Sequence, residues 1–202
     1  MDKLKKAKLI AQLLSSVPYV RLVLLTGSVA AGRVKVKSDL DFLLICRRGR
    51  LYLSRYLCVA LMTILGQKSY PRLKKTSGRV CLTFYLADNF LDFSKIDKGV
   101  LQKRHQWLSE SLPMAGGEIY YHRLMKINKV FAKPYHRQKF VLISAWQEFL
   151  EIVLAFGFGY ILEKICKIIQ NKRLTKYQRF TKDKGIIFCK DYIKLHLGKF
   201  RI

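Results

Sequence analysis

The sequence predicts an α/β domain of the α+β kind with a helical C-terminal part. Two observations carry this. Three β-rich apolar runs, Val20–Leu25, Asp39–Cys46 and Val80–Leu86, are separated by segments with helical periodicity. After the third run the pattern turns mainly helical, an order of elements that suits a sheet covered by helices.

The elements follow in order. Leu4, Ala7, Ala11 and Leu14 lie on one helical stripe, which predicts a first helix over residues 3–15, ending before Pro18. Val20–Leu25 reads as a strand leading into Thr26-Gly27-Ser28, and a short helical turn through Val29-Ala30-Ala31 closes at Gly32. The basic stretch Arg33–Lys37 leads to the second strand, residues 39–46. Residues 51–65 are apolar almost all round, which predicts a deeply buried helix ending at Gly66. Lys68–Arg79, with Pro71, Ser77 and Gly78, reads as a loop or an edge before the third strand. Helices are expected over 100–109 and 140–171, Glu118 begins another, and Ile186–Phe188 reads as a short strand. The chain divides on this reading into a first domain, 1–125, and a helical extension with a basic tail, 126–202.

Composition limits the class of function. Half of the 202 residues are hydrophobic, enough to build a core. The 39 Lys and Arg against 13 Asp and Glu leave a net charge of +26, which favours polyanionic partners: nucleic acid or an anionic membrane surface. Cys46, Cys58, Cys81, Cys166 and Cys189 are scattered without CxxC or Cys/His spacing, so they read as thiols in a reducing compartment, and a cytoplasmic location is expected. The basic N-terminus is not followed by an uninterrupted apolar core of signal-peptide length. Ile152–Leu162 holds 11 uncharged residues where a span needs roughly 20, so a core helix or an oligomer contact through residues 149–162 is expected in place of a membrane span.

The chemistry concentrates in one place. Asp39 and Asp41 stand one residue apart at the mouth of an apolar strand, where i and i+2 face the same side. Two carboxylates so close repel unless a cation lies between them, and magnesium, or manganese, suits hard oxygen ligands with phosphates completing its shell. Separated from Asp39 by ten residues, Gly27-Ser28 follows the first strand: glycine lets backbone approach a phosphate, and the Ser28 hydroxyl can add a hydrogen bond. Arg47 and Arg48, directly after the second strand, are further candidates for triphosphate contact.

Strand, Gly27-Ser28, ten residues, Asp39-Leu40-Asp41, apolar strand: this segment resembles the signature of the polymerase-beta-type nucleotidyltransferases, and the layout resembles small bacterial nucleotidyltransferase-domain proteins. The likeness covers about residues 4–170, and residues 22–45 carry its specificity. It implies a mixed, twisted sheet flanked by helices and metal-dependent transfer of a nucleoside monophosphate from an NTP to a nucleic-acid or protein acceptor. It implies that Gly27 and Ser28 hold the triphosphate and that Asp39 and Asp41 are the catalytic metal ligands. Active members place a third carboxylate on a later strand. Val80–Leu86 offers Thr83 as its central polar residue and no acid, with Asp88 and Asp92 just beyond. Asp88 is therefore the further metal candidate, and a degenerate site on the same fold, binding nucleic acid or a protein partner, is the alternative. Cations near Tyr70 and Tyr177 are candidates for a nucleic-acid path. His105, His122, His136 and His196 have no shared metal-ligand spacing.

Overall fold

A computed structural model describes residues 2–36, 38–68, 78–96, 104–135, 141–155, 158–181 and 187–195. Among the described residues six strands form one mixed sheet: β1 (Val20–Thr26), β2 (Leu40–Cys46), β3 (Val80–Ala87), β4 (Leu112–Gly116), β5 (Ile187–Phe188) and β6 (Tyr192–Lys194), in the spatial order β4-β1-β2-β3-β6-β5. β2 and β3 run parallel and the other neighbours antiparallel. The helices are α1 (Lys3–Ser15), α2 (Gly27–Ala30), α3 (Leu51–Ile64), α4 (Arg104–Glu110), α5 (Glu118–Ile127), α6 (Val141–Ala155) and α7 (Phe158–Thr181). This is the helix-flanked mixed sheet, with a helical C-terminal part, that the sequence predicts.

Alternation along the strands divides the core in two. Leu40, Phe42 and Leu44 of β2 face a cluster with α1 and α3, while Leu43 and Ile45 face a second cluster with α5. A sheet buried on both faces explains why β2 reads as a continuous apolar run. Both faces are closed.

Several expectations change. The stretch from 140 to 171 is two helices, α6 and α7, and α7 runs ten residues further. α3 is buried through Leu51–Ser54, Cys58 and Met62, but Tyr56 and Ile64 are exposed at 43% and 82%, so it is amphipathic and not sunk on all sides. β4 and β6 were not legible, and β6 brings the chain beyond residue 125 into the same sheet. Residues 69–77, 100–103 and 186 of the expected loop, helix and strand lie outside the described residues.

Polar side chains of α6 and α7 tie these helices to the sheet and α3. The Glu163 carboxylate accepts from the N–H groups of Tyr52 and Leu53 at 3.0 and 2.7 Å, capping the first turn of α3 from another helix. Glu151 accepts from both terminal nitrogens of Arg21 at 2.8 Å and from the Tyr19 N–H at 2.7 Å. Burial pushes Glu151 up, yet these donors outweigh it and hold the carboxyl below its ordinary value.

Candidate functional site

Antiparallel pairing of β1 with β2 sets Thr26 directly opposite Asp41, so the end of one strand and the start of the next meet at one edge of the sheet. The Thr26 hydroxyl donates to the Asp41 carbonyl at 3.2 Å and fixes that crossing. Gly27 comes next with φ +72°, a left-handed backbone that costs glycine nothing. An ideal Cβ on Gly27 would lie 2.6 Å from Oδ2 of Asp41. Glycine is thus required twice: for its backbone angle, and because the carboxylate fills the space.

Ser28 does not stand open. Its hydroxyl donates to Oγ of Ser38 at 3.0 Å, and Ser38 Oγ also accepts from the Lys35 N–H at 3.0 Å. Phosphate contact by the Ser28 hydroxyl therefore requires exchanging a hydrogen bond already made. The loop before Asp39 is held from behind by Lys3, whose ammonium donates to the carbonyls of Lys35, Val36 and Ser38 at 2.6, 3.0 and 2.9 Å. Lys6 donates to the Gly78 carbonyl at 2.7 Å, and Gly78 N–H to the Ser38 carbonyl at 3.1 Å, which ties the approach to β3 to the same loop.

Leu40 and Phe42 are fully buried behind the site, and Asp39 and Asp41 are each partly exposed on its side of the sheet. The Asp41 carboxyl is pushed up from 3.8 to about 6, first by burial and then by the charge of Asp39, while a hydrogen bond from the Cys81 thiol opposes the rise. Two close carboxylates, one of them hard to ionise, are a site whose negative charge wants a cation. Hard oxygens suit magnesium, which is commonly held by one or two carboxylates with phosphates and water supplying the rest. Among the described residues no group of three or more His, Cys, Asp or Glu could hold a metal ion.

Parallel pairing of β2 with β3 puts Cys81 beside Asp41. Burial, then the charges of Asp41 and Asp39, push the Cys81 thiol far up, so it stays protonated and donates to Asp41. A strand neighbour of Asp41 that could have carried a third carboxylate carries a thiol.

Arg47, Arg48 and Asp88 are not at this site. β2 carries the chain away from Asp41, and Arg47 follows it about six residues on, roughly 20 Å at about 3.3 Å per residue. The Arg47 N–H donates to the Tyr19 carbonyl at 2.8 Å, beyond the other end of β1. Asp88 follows β3 at that same far end, where its N–H donates to the Cys46 carbonyl at 2.8 Å and its Oδ1 accepts from the Arg48 N–H at 3.0 Å. Asp88 acts there as a turn residue, and neither the triphosphate contacts expected of the arginines nor a third metal ligand at Asp88 is compatible with strands running this way.

His122 lies on α5, 3.3 Å from Glu118 one turn earlier, and His105 is exposed on α4; His136 and His196 lie outside the described residues, as do residues 69–77 of the basic loop containing Tyr70. Ser38, Cys81 and Lys3 complete the surroundings of the site and were missed. Ser38 carried a signal, since it adjoins Asp39. Cys81 becomes legible only once β2 and β3 are aligned in parallel.

Comparison with protein-family models and with curated proteins found no match. Among solved structures, the chain is similar to one described as a crystal structure of a toxin–antitoxin with AMP-PNP. That chain is 13% identical with a TM-score of 0.36, and the match covers 76% of this chain and 99% of that one. The reading of the site rests on this chain's own geometry.

Proposed function

We propose that this protein is a metal-dependent nucleotidyltransferase that moves a nucleoside monophosphate from an NTP to a hydroxyl of a nucleic-acid or protein acceptor, with release of pyrophosphate and of the hydroxyl proton. One observation carries the reading: the Thr26–Asp41 register holds the Gly27 backbone against the Asp41 carboxylate, with Asp39 alongside. The Gly27 turn and the two carboxylates share one edge of the sheet, where a cation held by the carboxylates would also reach a triphosphate at the turn. Asp39 and Asp41 are the groups that would hold magnesium or manganese. When bound, the ion neutralises the triphosphate and lowers the pKa of the attacking hydroxyl. Gly27 leaves room for the Asp41 carboxylate, Ser28 can hydrogen-bond a phosphate after releasing Ser38, and Lys3 keeps the Asp39 loop in place.

A second reading is favoured by one feature, the Cys81 thiol beside Asp41 on a strand without any carboxylate. On that reading the fold binds nucleic acid through its cations without catalysis. Label transfer from each of the four α-phosphate-labelled NTPs, with magnesium or manganese and RNA, DNA or lysate as acceptor, separates the two. Label that appears with the wild type and disappears in Asp39→Asn/Asp41→Asn supports the transferase. RNA affinity that falls steeply with salt and is indifferent to both substitutions, without label, supports the binding module.

A further inference from the structure

The helices α6 and α7 turn polar anchors inward and apolar side chains outward. On α6 the Gln147 amide donates to the carbonyls of Val17 and Val20 at 3.1 and 2.7 Å, beside the Glu151 pairing with Arg21 and Tyr19. On α7, Glu163 caps α3, and the buried Gln170 donates to the Tyr52 carbonyl at 2.6 Å. Bonds of this kind are directional, so they fix the rotation of each helix. That rotation sends Trp146, Phe149 and Ile152 of α6 and Ile161, Ile165 and Ile168 of α7 into solvent, each 45–59% exposed. Their spacing by three and four residues makes a continuous stripe along each helix. Paired apolar stripes of this extent mark a contact surface.

Charge decides what contacts it. Exposed Lys164, Lys167, Lys172, Arg173 and Lys176 stand on α7, while Glu148 is the one exposed acid among the described residues of the two helices. In a chain of net charge +26, a second copy would set cations against cations. The ordering along α7 is more specific still. At 100° per residue, Ile161, Ile165, Lys172 and Lys176 fall on one side of the helix, so a single face passes from apolar to basic. From Ile165 to Lys172 this takes roughly 10 Å of helix at about 1.5 Å per residue. An apolar helix face bordered by Lys and Arg is the composition of a helix that lies in a bilayer interface.

We propose that the α6–α7 face is a peripheral docking surface for an anionic lipid bilayer, with the apolar side chains at the acyl boundary and the α7 cations on headgroup phosphates. The association is peripheral, since among the described residues no helix is long and apolar enough to cross a membrane. The surface involves none of the residues of the nucleotide site and stands or falls independently of that reading.

The test uses the full chain with sedimentable vesicles of phosphatidylcholine alone or mixed with phosphatidylglycerol. Phe149→Ser/Ile165→Ser is the variant, because both side chains are exposed and their loss leaves the helix anchors intact. The expected result is co-sedimentation with the anionic vesicles and not the neutral ones. The double variant should lose about tenfold or more in partitioning, and Trp146 emission should shift to the blue on binding. Absence of co-sedimentation overturns the proposal. So does binding that the double variant keeps in full, which is adsorption by charge alone. A dimer at micromolar concentration that the same substitutions dissociate, without vesicle binding, also overturns it and assigns the face to a second copy.

Discussion

The carboxylate of Asp41 occupies the space that any side chain at residue 27 would need, with 2.6 Å between Oδ2 and an ideal Gly27 Cβ. Strand register is what forces this closeness: Thr26 faces Asp41, and Gly27 is the next residue. Gly27→Ala therefore meets two penalties, an alanine at φ +72° and a contact that only movement of the carboxylate relieves. The expected loss of stability is about 1–3 kcal/mol, read by denaturant unfolding. Nucleotide affinity in the presence of magnesium should fall about tenfold or more, because the carboxylate that moves is a proposed metal ligand. Unchanged affinity would show that the Gly27–Asp41 contact serves the fold alone.

Asp41 gives the site a pH dependence with an unusual sign. Its carboxyl is raised from 3.8 to about 6 in the folded protein, so the folded state binds this proton more tightly than the unfolded chain does. Stability contributed by this group is present below about 3.8 and is lost as pH rises through about 6, a change of up to about 3 kcal/mol. Asp41→Asn removes the charge and should make the metal-free protein more stable than wild type at pH 7.5, but not at pH 4. Magnesium should raise the melting temperature of the wild type at pH 7.5 and much less at pH 5, where protons compete for the same carboxylate. An equal magnesium effect at both pH values, or one that survives in Asp41→Asn, would remove Asp41 from the metal site.

The centre of the fold could be read directly from the chain, and its flanks only in part: the edge strand β5 falls within the short strand expected at 186–188, while β4 and β6 gave no strand signal. β1, β2 and β3 are apolar because both faces of the central sheet are covered, and burial on both sides is the clearest strand signal a sequence can carry. β4 contains Pro113 and ends in Gly116, which an edge strand tolerates, so its sequence does not look like a strand. β6 is three residues long, and its fully buried Lys194 argues locally for a surface position. At the site, Gly27, Ser28, Asp39 and Asp41 could be placed together because a short connection brings paired strand ends to one edge. Arg47 and Arg48 were misplaced by the opposite effect: six residues are close in sequence, yet along a strand they separate one edge of a sheet from the other.

Cys81→Asp offers the most direct test of whether the aspartate pair holds a metal. The parallel register puts residue 81 beside Asp41, and the native thiol stabilises the Asp41 carboxylate by donating to it. An aspartate there replaces a donor with a third negative charge next to two others. Without metal, the variant should lose about 2–4 kcal/mol at neutral pH, because partly buried like charges repel and none of them has gained a partner. Manganese or magnesium should reverse that loss, since three carboxylates bind a divalent cation more tightly than two. Thermal unfolding of wild type and variant, with and without manganese, reads both effects. If Asp39 and Asp41 are metal ligands, manganese stabilises Cys81→Asp more than wild type, and a gain in label transfer would identify the missing carboxylate as what limits catalysis. If manganese leaves the variant as unstable as before, the pair is not arranged around a cation, and the nucleic-acid-binding reading takes the place of the transferase.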